Sequence, residues 1–297
     1  MEKLIDFDSY PVRTTLQILL QDKTTKNNII WATDAYAERG HGFQDKNHID
    51  IMAIKGLDSI DLQSRTEKAM EEQQERTRKK AEVFTPSWIC NKMNNHCDAE
   101  WFGRENVFNI EQPHGWIPTE NKVEFSEGKS WKDYVDSRRL EITCGEAPYL
   151  VSRYDTATGE AIPIRKRIGI LDRKLRVVNE NAQTRRAWNH WAYRAFESVY
   201  GYEYQGDNLL IARINLFETF CEYTWDRWEE EPTEASLKRI ANIISWNLWQ
   251  MDGLRGTVPC ANTISSREER IPPKVECKIR DWRNQETVVF KKITEGA

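Results

Sequence analysis

Polar residues interrupt the apolar runs of this chain at two different periods, and the succession of those periods predicts a layered α/β fold. Leu140-Glu141-Ile142 reads as a short strand, Thr143-Cys144-Gly145 as a tight small-residue corner, and Tyr149-Leu150-Val151 as the start of a helix. From Thr184 to Val199 the residues Trp188, Trp191, Ala192, Ala195, Phe196 and Val199 recur at helical spacing, a stripe suited to a core. A second strand ends at Glu203, and Asn208 to Phe217 returns to the helical period with Leu209, Leu210, Ala212, Ile214 and Leu216. Glu229 to Pro232 breaks that helix, and Thr233 with Ser236 can cap the next. Ile240, Ile243, Ile244, Leu248 and Trp249 then lead to Met251-Asp252-Gly253. Strands and helices in turn imply a doubly wound sheet, whose ligand corner lies at the carboxyl end of its first strand. A glycine in that corner lets the backbone approach a ligand, and the helix that follows offers free N–H groups.

The flanks are less regular. Thr15 to Leu20 and Asn28 to Thr33 are apolar runs separated by Gln21 to Asn27, and they read as neighbouring strands. Asp34 to Asp50 is loop by composition; His41, Asp45, His48 and Asp50 lack the spacing of a metal site, and no metal is expected there. Gln63 to Ala81 is highly charged and predicts a solvated helix. Next comes a helix with Thr85 as its side-chain cap, Pro86 in its first turn and Trp88, Ile89 and Met93 on its buried face, with Asn94 to Cys97 at its end. Trp101 to Arg139 is irregular, with one short helix near Ser130 to Ser137. On this reading residues 1–80 form a strand pair and charged helix, and residues 81–297 an α/β domain.

Composition narrows the partners. With 297 residues the chain can bury a real core, and 12 tryptophans at helical or strand spacing suit it. Lys and Arg number 43 against 47 Asp and Glu, a net charge of −4, so any polyanion site must be a local patch. Residues 153–194 supply a candidate, with ten basic residues against four acidic ones. The segment reads as a basic insertion, because the second strand should follow the first crossover helix closely. Arg165, Lys166, Arg167, Arg173 and Lys174 are its candidate phosphate contacts, and a solvated mixed surface is the equal alternative. The six cysteines form no CxxC pair, and neither a signal peptide nor a membrane-length apolar run is evident, so a reducing cytoplasm is the expected location.

Glu141, Cys144, Gly145, Tyr149 and Leu150 fit the order acidic residue, two spacers, Cys-Gly, three residues, aromatic, Leu, and Phe84-Thr85-Pro86 stands ahead of them. Together these stretches resemble the cofactor motifs of S-adenosylmethionine-dependent DNA adenine-N6 methyltransferases of restriction-modification systems. The resemblance implies a Rossmann-like methyltransferase sheet. It implies that Phe84, Thr85 and Pro86 pack on the methionine end of the cofactor and that Thr143, Cys144 and Gly145 form its loop. Glu203 would take the ribose hydroxyls, with Gln205 and Asp207 near enough to help, and Asp252 the adenine amino group. Ala147 stands where the family carries a second glycine, and Pro148 follows it, which narrows the loop.

The family's catalytic loop, a polar residue followed by Pro-Pro and an aromatic, is not matched. The single Pro272-Pro273 pair is flanked by Ile271 and Lys274, and 45 residues follow Asp252, with Val275 to Ile279 and Thr287 to Lys291 as candidate strands. The sheet is therefore expected to be incomplete unless the N-terminal strands contribute to it. The expected function is an S-adenosylmethionine-binding, DNA-binding methyltransferase subunit with a partner chain that supplies the catalytic loop. The alternative is a non-catalytic cofactor- or DNA-binding subunit that has lost methyl transfer and acts with a partner chain. A nuclease using Asp155, Asp172 and Glu180 lacks the acid, spacer, Lys pattern, and a solvated surface explains those acids better.

Overall fold

A computed structural model describes residues 4–55, 62–68, 85–259 and 275–294. Its first element corrects the sequence reading. Val12, Thr15, Leu16, Leu19 and Leu20 are buried at the spacing of one helix face, and they form α1 (Val12–Leu20) instead of a strand. A window that starts at Thr15 hides this period, because Val12 is its first point. Asn28 to Thr33 joins no ladder and makes only isolated bridges, Gln21 to Asn28 and Ile30 to His48. Helix α2 (Ile51–Lys55) follows. Most of the charged helix expected over Gln63 to Ala81 lies outside the described residues, as does Phe84.

Helix α3 (Ser87–Phe102) buries a polar face: Ser87, Cys90, Asn91, Asn94, Asp98 and Phe102 point inward while Met93 is exposed. The expectation of an apolar stripe fails because this face wraps a buried cation. The Arg173 guanidinium donates to Asp98 (2.6 Å), Asn91 (2.9 Å) and Asn95 (2.8 Å). Pro86 precedes the first turn, Thr85 makes no cap bond, and Asn94 to Cys97 lie inside the helix, which ends at a left-handed Gly103. Where irregular chain was expected, β1 (Asn109–Gln112) and β2 (Gly115–Pro118) form an antiparallel hairpin. The short helix is as anticipated: α4 (Trp131–Asp136) is held by a reciprocal cap between Ser130 and Asp133.

The centre is a three-stranded parallel sheet of β3 (Arg139–Ile142), β4 (Val199–Glu203) and β5 (Leu248–Gln250), in the order β3-β4-β5. Helices α5 (Ile170–Asn181) and α6 (Arg185–Glu197) connect β3 to β4. Helices α7 (Gly206–Trp228) and α8 (Glu234–Asn247) connect β4 to β5. The basic segment is thus the crossover itself and not an insertion: Leu171, Leu175, Val178, Trp188 and Phe196 lie in the main core. Val12, Leu16 and Leu19 of α1 share that core with Leu237, Ile240 and Ile244 of α8. On the other face of the sheet Tyr200, Tyr202 and Trp249 pack on Cys277 and Ile279. That second layer is the hairpin β6 (Lys278–Asp281) and β7 (Glu286–Val289), followed by α9 (Phe290–Thr294). The molecule is a mixed α/β fold with a parallel sheet between helices and a small β-layer. Among the described residues no helix is long and apolar enough to cross a membrane.

Candidate cofactor corner at the strand ends

The sequence corner forms where expected, yet no helix follows it directly. Thr143 (φ 53°), Gly145 (φ 53°) and Ala147 (φ 66°) are all left-handed, and this alternation folds 143–150 into successive turns. Three of the amides here are used within the loop: Ala147 N–H donates to Cys144 O (2.7 Å), while Leu150 N–H (3.1 Å) and Val151 N–H (3.0 Å) donate to Ala147 O. The free N–H groups of a helix N-terminus, expected here, are therefore not provided by this loop. Ala147 adopts the backbone that glycine takes without strain, at a cost of about 1–2 kcal/mol for a residue with a Cβ. Cys144 is buried under β4, and a Cβ added at Gly201 would come 3.2 Å from the Cys144 Cβ. Burial pushes the Cys144 thiol well above its ordinary range, with the charges of Glu141 and Glu203 adding to the effect, so it is a packing residue and not a nucleophile.

Glu203 reaches back from the end of β4 to the corner. Its carboxylate accepts from Gly145 N–H (2.9 Å), Tyr204 N–H (2.9 Å) and Gln205 N–H (3.0 Å). Burial still raises its pKa, and those three amides oppose the rise. Glu141, on the neighbouring strand, is different. Its carboxylate faces the Tyr149 and Leu150 N–H groups, but Oε2 is buried with no hydrogen-bond partner among the described residues. Burial drives the Glu141 pKa well above the usual carboxylate value, since an orphaned oxygen in a dry site favours the protonated form.

The other predicted residues fall into two groups. Thr85 belongs to the corner: its carbonyl accepts from the Thr156 hydroxyl (2.9 Å), and the Tyr149 phenol lies beside Thr85 and Cys90. Pro86 begins the helix next to it. Asp252 follows Met251, whose N–H donates to Glu203 O (3.0 Å). The Asp252 carboxylate is occupied by its own turn, accepting from Leu254 N–H (3.1 Å), Arg255 N–H (3.2 Å) and the Arg255 side chain (3.2 Å). Asp207, a possible helper to Glu203, is buried and accepts from the Tyr36 hydroxyl (2.9 Å). Pro272 and Pro273 lie outside the described residues.

Sequence reasoning missed the residues that hold the corner in place. Asn94 Nδ2 donates to Tyr149 O (2.9 Å) and Ile168 O (3.0 Å), tying α3 to the loop. Gly169 lets the start of α5 press against that loop; a Cβ there would stand 2.3 Å from Leu150 O. The buried strand glycine Gly201 and the punctuating Gly169 were visible signals, whereas the Asn94 bonds span distances that no local pattern encodes.

The basic candidates separate sharply. Arg173 and Lys174 are buried and structural, which overturns their assignment to nucleic acid. Lys174 Nζ donates to Val135 O (3.1 Å) and Ser198 Oγ (2.6 Å), and burial drives its pKa well down. Arg167 is held by Glu222 (2.5 Å). Arg165 and Lys166 are exposed on a turn at the rim of a cleft of about 830 Å3, which Trp116, Arg176 and Arg227 also line. The acids of the nuclease reading are each employed apart. Asp155 accepts from Ser87 N–H (2.8 Å), Asp172 from Ser152 N–H (2.8 Å), and Glu180 pairs with Arg176 (2.8 Å). Among the described residues no group of three His, Cys, Asp or Glu side chains could hold a metal ion. No family model, curated protein or solved structure matches this chain, so its function is argued from its own residues.

Proposed function

We propose that this chain is an S-adenosylmethionine-binding subunit of a DNA adenine-N6 methyltransferase of the restriction-modification type, working with a second polypeptide that carries the catalytic loop. One observation carries the reading. The separated stretches at Thr85-Pro86, Glu141 to Leu150 and Glu203 meet outside the carboxyl ends of adjacent parallel strands, where open α/β sheets bind their ligands.

The cofactor would supply an electrophilic methyl group on a sulfonium centre. This chain's part is to bind and orient it. The buried, unpartnered Oε2 of Glu141 suits the cationic methionine end, because a buried carboxylate is stabilised by an opposite charge. Glu203 is less free. Its three backbone bonds define the corner, and ribose hydroxyls would have to share its remaining acceptor capacity. Arg165 and Lys166 are suited to DNA phosphates at the rim of the cleft they line.

Photo-crosslinking of radiolabelled S-adenosylmethionine to the intact chain, followed by peptide mapping, tests the site. Label within residues 139–150 or on Thr85-Pro86 is expected; label elsewhere, or none, contradicts the reading. The engaged carboxylates of Glu203 and Asp252 favour a second reading, a subunit that kept the fold and lost the transfer step. It predicts no methylation of DNA by this chain together with any partner that binds it.

A further inference from the structure

The sheet stops at β3. A parallel sheet is ordinarily continued or covered on both sides, and an unpaired edge strand presents backbone groups that attract another strand. Here the spatial order places the first strand at the edge, β4 inside it and β5 beyond, which is one half of a doubly wound sheet. The other half of such a sheet begins on the free side of the first strand.

Arg139 N–H donates to Ser198 O (3.0 Å) on the β4 side, so strand alternation turns the Leu140 and Ile142 N–H groups toward the open edge. Among the described residues nothing pairs there. The side chains agree with the backbone: Leu140 is 42 % and Ile142 64 % exposed, unusual for the first strand of a parallel sheet. Beside them a groove of about 180 Å3 is lined by Leu140, Tyr200, Trp249, Phe290 and Ile293. Its rim is basic. Arg138 pairs with Asp281 there (2.8 Å), which leaves Arg280 as the cation on the rim with no carboxylate partner among the described residues.

We propose that the free edge of β3 docks a β-strand of a second polypeptide, a segment with alternating apolar residues and carboxylates at its ends, so that the sheet continues past β3. The apolar side chains would enter the groove, the backbone would pair with Leu140 and Ile142, and the carboxylates would meet the arginine rim. The corner at Gly145 would then be bounded on both sides, as a ligand crevice between two halves of such a sheet is. The docking surface stands on the sheet edge alone; only its part in bounding a cofactor corner rests on the methyltransferase reading.

The test uses the purified chain without cofactor and a fluorescent peptide of alternating valine and threonine flanked by aspartates. Anisotropy should report saturable binding, and hydrogen exchange at residues 140–142 should slow when the peptide is present. Binding should weaken by about tenfold or more with a lysine-flanked peptide, and likewise for Ile142→Pro, which removes one outward N–H at an exposed position. Absence of saturable binding, or equal binding of the two peptides, overturns the proposal. Slow exchange of Leu140 and Ile142 in the chain alone also overturns it: a segment of the same chain covers the edge if protection is independent of concentration, and a second copy does if protection rises with it. Cofactor affinity, measured separately, can fail while peptide binding persists, which would remove the methyltransferase reading and leave the docking edge intact.

Discussion

Glu141, one residue short of the end of β3, and Glu203, at the end of β4, stand on neighbouring parallel strands by the same corner, yet their hydrogen bonding differs. The Glu203 carboxylate accepts from three backbone N–H groups drawn from two loops. Glu141 keeps a buried oxygen with no partner among the described residues. One acid is a staple that fixes the loop, and the other is a vacancy in the hydrogen-bond network that a cation would fill. Nothing in the sequence tells these two conditions apart, since each acid stands at or beside the end of a short strand.

The largest expected effect falls on the staple. Glu203→Ala takes the shared acceptor from three backbone donors, of which the Gln205 N–H is buried, and should destabilise the fold by about 2 kcal/mol, read from denaturant unfolding. Glu141→Gln should act in the other direction. The Glu141 pKa is raised in the folded state, so its contribution is fully present below the ordinary carboxylate pKa and is lost as pH rises through the folded value. The variant should therefore gain on the parent as pH increases, a trend that melting temperatures between about pH 5 and 8 would reveal. A parent that gains on Glu141→Gln with rising pH would mean the carboxylate is paired after all.

Ala147→Gly tests the loop between the two acids. Relief of its left-handed backbone should stabilise by about 1 kcal/mol, less the extra unfolded-state freedom of glycine, again by denaturant midpoint. The smallest stability change, within about 0.5 kcal/mol, is expected for Arg165→Ala and Lys166→Ala. Those two should instead reduce the salt dependence of DNA binding, each by about one unit of slope.

The three strands of the parallel sheet were legible because their apolar runs stop at Glu203 and Asp252 and at the Thr143 to Gly145 corner, signals that live within a few residues. Helix α1 was not, because its period begins at Val12, outside the run that looked like a strand. Arg173 and Lys174 were misplaced for a deeper reason. Charge composition does not say which side of a helix faces the core, and the partners that make their burial tolerable, Asp98 and Ser198, lie 75 and 24 residues away. The same blindness hid the polar face of α3 and the condition of the two acids, since a vacant oxygen is defined by what surrounds it in space.

The central claim is that the corner binds S-adenosylmethionine through Glu141. Titration calorimetry of the parent chain and Glu141→Gln, each in two buffers of different ionisation enthalpy, tests it most directly. The account predicts saturable binding by the parent with release of a proton, because a cation beside Glu141 lowers its raised pKa. It predicts at least about tenfold weaker binding by the variant without that proton. Equal affinity in the two chains, or no binding by the parent, would contradict it.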